Sequence, residues 1–272
     1  MTFRHQLAIA LSCAAALLTA CGGSTQSSGT DTGANSAAPS ASATADAVSG
    51  DLAVFAAASL TESFTEIGAA FQAANPDAVV TFNFGASSAL AQQITSGAPA
   101  DVFAAASPAT MATVTDAGDA NGDPTVFVRN RLQIAVPAGN PGDVTGLADF
   151  ADAEKTIALC AEQVPCGAAA IRAFTAAGVT PAPDTLEQDV KATVTKVELG
   201  EVDAALVYRT DVLAAGNAVE GIDFPESEQA INDYPIVTLA EAANAEAAQA
   251  FVDYVLSPDG QQVLEAAGFE RP

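Results

Sequence analysis

One pattern occurs twice in this chain, as V-F-A-A-A-S-L-T-E-S-F at Val54–Phe64 and as F-G-A-S-S-A-L-A-Q-Q-I-T-S-G-A-P-A-D-V-F-A-A-A-S at Phe84–Ser107. In both places an apolar run typical of a buried strand leads through a short turn to a serine, and a helical pattern follows. The two predicted strands are Leu52–Ala57 and Val79–Phe84. The sequence therefore predicts two strand-serine-helix units.

Serine residues stand where each of these strands meets its helix. Ser59 precedes Glu62 by three residues, a capping-box spacing, so Ser59 is predicted to begin a helix that extends to about Ala74. Ser87 and Ser88 stand at the start of the second helix, where Ser88 is predicted to be the cap. Helix N-termini carry unsatisfied N–H groups and a partial positive charge. The pattern therefore predicts a site that holds an anion without any charged residue.

Strands alternate with helices along the rest of the chain. Further strands are predicted at residues 102–105, 126–137, 157–160, 204–208 and 234–239. Further helices are predicted from residue 107 and at 167–177, 189–199, 244–256 and 258–267. This alternation is typical of an α/β protein with largely parallel sheets.

The N-terminal residues have the composition of an export signal and a linker. A weakly basic start and a short apolar run end in Leu18-Thr19-Ala20-Cys21, which resembles a bacterial lipobox and predicts cleavage before Cys21 and acylation of that residue. The alternative is ordinary secretion with no role for Cys21. Residues 21–50 are rich in Ser, Thr, Gly, Ala and Pro, which predicts a disordered tether before a folded region that begins near Asp51.

The charge and the histidine content exclude several classes of function. The chain has 33 acidic and 9 basic residues, a net charge of −24, and loss of Arg4 with the signal makes the exported chain −25. Such acidity argues against nucleic acid and against anionic membrane surfaces as partners. The one histidine, His5, lies in the predicted signal, which leaves none for Ser-His-Asp or Cys-His catalysis or for His-containing metal sites.

Five segments together resemble the molybdate-binding proteins of ABC importers, in the same order along the chain. They are the two serine segments quoted above and V-P-C-G, D-V-K and V-Y-R-T-D at residues 164–167, 189–191 and 207–211. The resemblance implies the two-lobed, type II periplasmic binding-protein fold, with each lobe a mostly parallel sheet flanked by helices. Residues 51–129 plus 236–272 would form lobe I, and residues 130–235 lobe II.

The resemblance also implies a ligand and the residues that bind it. Molybdate or tungstate would lie in the cleft between the lobes, held by the hydroxyl and N–H groups of two serines, by two backbone N–H groups and by one phenol. These are Ser59 and Ser87, Cys166 and Val190, and Tyr208. Both ions are fully deprotonated dianions at neutral pH, so their oxygens only accept hydrogen bonds. A pocket of donors without a carboxylate suits them.

The implied partners are the membrane subunits of an ABC permease. We expect an exported monomer, lipid-anchored at the outer face of the cytoplasmic membrane, with no cofactor and no catalytic activity. Within this class, a sulfate or other tetrahedral oxyanion carrier is the alternative. An enzyme would need a lysine as its base, and no lysine forms a Ser-x-x-Lys pair with Ser59 or Ser87.

Two cysteines of the folded region stand close together in the sequence. Cys160 and Cys166 are separated by five residues in a chain predicted to be exported, where disulfides persist. We therefore predict that they form a disulfide, with free thiols as the alternative.

Overall fold

The computed structural model describes residues 48–272. The predicted signal, the acylation of Cys21 and all but the last residues of the predicted tether lie outside the described residues. Within residues 48–272, every helix is too short or too polar to span a lipid bilayer.

Five strands form the first sheet: β1 at Gly50–Ala57, β2 at Ala78–Gly85, β3 at Val102–Ala104, β4 at Thr125–Asn130 and β10 at Asn232–Thr238. Their order is β2-β1-β3-β10-β4. β1 is parallel to β2 and β3, whereas β10 is antiparallel to β3 and β4. Along β1, Leu52, Val54 and Ala56 pack into the core on one face of the sheet, and Phe55 packs into the core on the other.

Five more strands form the second sheet: β5 at Leu132–Pro137, β6 at Ile157–Cys160, β7 at Thr185–Glu187, β8 at Ala204–Tyr208 and β9 at Val219–Ile222. Their order is β7-β6-β8-β5-β9, and the sheet has its own hydrophobic core. β6 is parallel to β7 and β8, whereas β5 is antiparallel to β8 and β9.

In each sheet four strands point the same way and one, β10 in the first sheet and β5 in the second, runs against them. The prediction of largely parallel sheets is therefore confirmed, with one reversed strand in each sheet. The reason for the reversal lies in the two places where the chain passes between the sheets. β5 follows β4 after a single residue, without a crossover helix, and β10 returns to the first sheet directly after β9 and a short 3-10 helix. A strand that is not preceded by a crossover helix is free to enter a sheet antiparallel to its neighbours, and the apolar pattern of a strand does not indicate its direction.

Helices flank both sheets. They are α1 at Thr61–Ala74, α2 at Ser87–Thr95, α3 at Pro108–Ala117, α4 at Pro165–Ala177, α5 at Val190–Glu198, α6 at Arg209–Ala215, α7 at Ala245–Leu256 and α8 at Pro258–Ala266. Short 3-10 helices lie at Ala58–Leu60, Leu147–Ala151, Gly216–Ala218 and Pro225–Gln229.

The long strand predicted at residues 126–137 is two strands that belong to different sheets. The break is at Arg131, whose backbone N–H donates to the side-chain oxygen of Asn130 at 3.0 Å instead of to a neighbouring strand. On the return, β10 pairs with β4 from Asn232 onward. The predicted boundary between residues 235 and 236 thus falls inside β10, one residue after the bulge between Tyr234 and Pro235.

Candidate functional site

A small cavity lies between elements of the first sheet and elements of the second. The first sheet and its helices contribute Ala57, Ala58, Ser59, Gly85, Ala86, Ser87 and Ala106; the second contributes Val164, Pro165, Cys166, Asp189, Val190 and Tyr208. All five residues predicted as ligands line this one cavity. The volume of this cavity is only about 20 Å³, which suits a compact ion rather than an amino acid or a sugar.

Three helices begin at the cavity wall. α2 begins at Ser87, α4 begins with Pro165 and Cys166, and α5 begins at Val190. The N-cap positions of α2 and α4 are Ala86 and Val164, whose side chains have no group to cap the helix. The first N–H groups of α2 and α4 therefore receive no hydrogen bond from a side-chain cap, and the dipoles of all three helices place partial positive charge at the cavity.

Ser87 is buried, and its oxygen already has a donor. The backbone N–H of Ala106 donates to Ser87 Oγ at 2.9 Å, so the hydroxyl proton of Ser87 is free to be donated into the cavity. The prediction that Ser88 caps the helix is wrong, because the N-cap position belongs to Ala86 and Ser88 lies within the first turn.

Ser59 does not begin a helix, and its predicted capping box with Glu62 is wrong. Ser59 lies in the 3-10 helix before α1, and α1 begins at Thr61 with no side-chain cap. Ser59 Oγ lies 2.9 Å from the hydroxyl of Tyr234, which in turn accepts from Asn130 Nδ2 at 3.5 Å. Because the Asn130 NH₂ group donates to the Tyr234 oxygen, Tyr234 can donate its own proton to Ser59 Oγ, which leaves the Ser59 proton for the cavity.

Tyr208 is the third hydroxyl at the cavity, at the end of β8, as the sequence predicts. Asn232 Nδ2 donates to its oxygen at 2.7 Å, which again leaves the hydroxyl proton free. Burial raises the pKa of Tyr208, and burial likewise raises the pKa of Tyr234 behind Ser59. Both phenols therefore stay protonated at physiological pH and act as donors.

Two carboxylates lie at or near the cavity, so the expectation of a pocket without a carboxylate is wrong. Asp189 lines the cavity, and its Oδ1 accepts the N–H of Ala192 as the cap of α5. Asp211 lies just behind, fully buried, where its Oδ2 accepts the N–H of Tyr208 at 3.2 Å. In the sequence, both look like ordinary acidic residues at helix starts, and only their place within the D-V-K and V-Y-R-T-D segments sets them apart.

A lysine next to the cavity neutralises the buried carboxylate. Lys191 Nζ lies 3.2 Å from Asp211 Oδ1 and 2.8 Å from Glu62 Oε2, which belongs to α1 of the first sheet. Burial raises the pKa of Asp211 to about 6, although the charge of Lys191 offsets part of this effect. Burial by itself lowers the pKa of Lys191. The negative charges of Asp211 and Glu62 raise it by more, so the pKa of Lys191 lies above its ordinary value.

In the structure a disulfide joins Cys160 and Cys166. Cys160 ends β6 and Cys166 lies in the first turn of α4. The bond therefore attaches the beginning of α4 to the end of the neighbouring strand, beside the cavity wall.

The arrangement can be compared with known proteins. The sequence profile of the family described as bacterial extracellular solute-binding protein matches residues 52–270. The chain belongs to this family. It is 40% identical over 221 residues to the molybdate-binding protein ModA of Mycobacterium tuberculosis, which covers 81% of this chain and 85% of the relative.

Two solved structures of solute-binding proteins have the same fold. The periplasmic molybdate-binding protein of Azotobacter vinelandii matches with a TM-score of 0.71 at 20% identity, covering 81% of this chain and 99% of the other. The sulfate-binding protein SubI of Mycobacterium tuberculosis matches with a TM-score of 0.73 at 17% identity, covering 81% and 86%.

These comparisons confirm the resemblance to molybdate-binding proteins and the type II binding-protein fold, in which each sheet here has one reversed strand. Members of a solute-binding family capture solutes for transport and are not enzymes. The family is extracellular, which agrees with an exported protein. The lipid anchor and the monomeric state remain predictions.

Proposed function

We propose that this protein captures molybdate or tungstate in the cavity and delivers it to the membrane subunits of an ABC importer. The observation that carries the proposal is the set of three hydroxyls at the cavity, on Ser59, Ser87 and Tyr208. An N–H group donates to the oxygens of Ser87 and Tyr208, and Ser59 Oγ is hydrogen-bonded to the Tyr234 hydroxyl, which can donate to it. Because the oxygen of each hydroxyl is already hydrogen-bonded on the protein side, its own proton can be donated to the ligand. The relative with 40% identity is named for molybdate binding, which supports the same assignment.

The donor set matches the protonation state of the ligand. Molybdate and tungstate only accept hydrogen bonds at neutral pH, and the N–H groups of Cys166 and Val190 add two donors from the second sheet. A protonated phosphate would bring a donor of its own against these donors, at a cost of about 1–3 kcal/mol. The one carboxylate in the wall, Asp189, is engaged in capping α5.

Binding is expected to favour a closed arrangement of two lobes. In this proposal lobe I contains the first sheet, lobe II contains the second, and the two connections between the sheets serve as hinges. Because the ligand contacts come from both sheets, the ion stabilises the closed state by contacts that an open state lacks. The permease would recognise this closed form. A lipid on Cys21 would hold the protein at the outer face of the cytoplasmic membrane.

Replacement of Ser59 or Ser87 by alanine tests the assigned ligands. Each change removes a hydrogen bond to a charged group, so we expect each variant to bind molybdate about 10- to 100-fold more weakly. Isothermal titration of the purified variants measures the effect.

The matched control is Ser107→Ala. The Ser107 hydroxyl caps α3 by accepting the N–H of Thr110 at 3.3 Å, and it does not line the cavity. This variant should lose some stability and keep its affinity. Unchanged molybdate affinity in both Ser59→Ala and Ser87→Ala would contradict the assigned site.

A further inference from the structure

A buried amide links the candidate ligand Tyr208 to an arginine. Asn232 is 3% exposed and lies at the start of β10 in the first sheet, whereas Tyr208 belongs to the second. Its Nδ2 donates to the Tyr208 hydroxyl oxygen at 2.7 Å and lies 3.4 Å from the carbonyl oxygen of Pro165. The same side chain thus contacts Tyr208 and the residue that precedes Cys166.

Arg172 fixes which way this amide faces. Its Nη2 lies 2.5 Å from Asn232 Oδ1 and also donates to the carbonyl oxygens of Ala230 and Ile231. A guanidinium only donates, so the oxygen of the Asn232 amide must face Arg172 and the NH₂ group must face Tyr208. The amide then supplies a donor to the phenol oxygen, and the phenol proton has to point elsewhere.

We propose that Arg172 and Asn232 are positioning residues that orient the Tyr208 hydroxyl as a hydrogen-bond donor to the bound oxyanion. The proposal rests on the function proposed above. We call the hydrogen-bonded chain Arg172–Asn232–Tyr208 the relay. The affinity for a fully deprotonated ion then depends on all three side chains, although Arg172 and Asn232 do not touch the ligand. The outer end of the relay carries a positive charge, and an aligned chain of hydrogen bonds polarises each member toward the anion.

The substitution Asn232→Asp inverts this relay with almost no change of shape. The introduced carboxylate only accepts hydrogen bonds, so it takes the Tyr208 proton and leaves a lone pair of the phenol facing the anion. Molybdate affinity should fall by about 100-fold or more, since a charge-assisted bond is lost and a repulsion replaces it. Asn232→Leu, which leaves the Tyr208 hydroxyl free to rotate, should cost less.

A double-mutant cycle with Tyr208→Phe separates proton orientation from a general effect of the new charge. Without the phenol hydroxyl there is no proton to misdirect, so Asn232→Asp should cost at least tenfold less in this background than in the wild type. An equal loss in both backgrounds would overturn the relay, because the effect would then come from charge repulsion or altered packing.

Arg172 provides a second, independent test because its side chain is exposed. Thermal unfolding of each variant shows whether loss of the bonds to Ala230 and Ile231 affects the fold. Arg172→Gln should weaken molybdate binding by about 3- to 10-fold, the effect of one hydrogen bond to a neutral group, and Arg172→Lys should keep more of the affinity. In the Tyr208→Phe background, Arg172→Gln should have no effect. A wild-type protein that binds no oxyanion would instead contradict the proposed function itself, together with the relay.

Discussion

The variant Gly167→Ala is expected to lose molybdate binding by more than 100-fold and to unfold at a lower temperature. A Cβ atom on Gly167 would lie 2.0 Å from the carbonyl oxygen of Ala161 and 2.8 Å from that of Cys160. These are backbone atoms at the end of β6, and the disulfide ties them to α4, so they cannot move aside independently. The first turn of α4 must shift instead, which would move the Cys166 N–H away from the proposed ligand position.

Two effects add in this variant. Overpacking of a tight contact typically costs 1–3 kcal/mol of stability, and a displaced donor no longer meets the anion. The control is Gly146→Ala, since a Cβ there has no heavy atom within 4 Å and the backbone is extended. Calorimetric titration and thermal unfolding of both variants provide the comparison. Wild-type affinity in Gly167→Ala would show that the start of α4 does not contribute to the site.

The second large effect is expected for Lys191→Met, which should lower the free energy of unfolding by about 3–5 kcal/mol near pH 7.5. The change leaves the fully buried Asp211 carboxylate without the ammonium group that lies 3.2 Å from it. Adding Asp211→Asn to the same chain removes the uncompensated charge and should restore most of the stability. Glu62→Gln removes only the exposed partner and should cost less than about 1 kcal/mol.

The pH dependence of this loss has a definite sign. Burial raises the pKa of Asp211 to about 6, above the value of about 3.9 for an unfolded chain. The folded state therefore binds more protons between these two values, and the contribution of Asp211 to stability falls as the pH rises through that window. Removal of Lys191 raises the folded pKa further and extends the window toward neutral pH.

The Lys191→Met variant should accordingly be closer to the wild type at pH 5 than at pH 7.5. Urea unfolding at both pH values measures this difference. A double variant with Asp211→Asn that is as unstable as Lys191→Met alone would contradict the buried-charge explanation.

Much of the site can be predicted from short stretches of sequence because its donors are local features. Val190 begins α5 and Tyr208 ends β8 where the apolar patterns place these elements. The spacing of Ser59 and Glu62 also fits a capping box, so this local pattern predicts the wrong role for Ser59. In the structure Glu62 instead pairs with Lys191, 129 residues further along the chain.

The residues proposed to orient Tyr208 have no such local signal. Asn232 and Arg172 are 60 residues apart, and Asn232 reaches Tyr208 only because β10 returns to the first sheet. Strand direction is equally hidden, because an apolar run in a mixed sheet looks the same whichever way it points. Only the assembled fold brings these groups together.

The most direct test of the central claim is thermal unfolding with molybdate, tungstate, sulfate and phosphate, each added to the wild-type protein. The chain has no tryptophan, so intrinsic fluorescence is a weak probe and unfolding is the better one. A ligand at about 100 times its dissociation constant adds about 2.7 kcal/mol of stability. We predict a clear rise of the unfolding temperature with molybdate and tungstate and little change with sulfate or phosphate. A rise led by sulfate, or no rise with molybdate and tungstate, would contradict the proposed function.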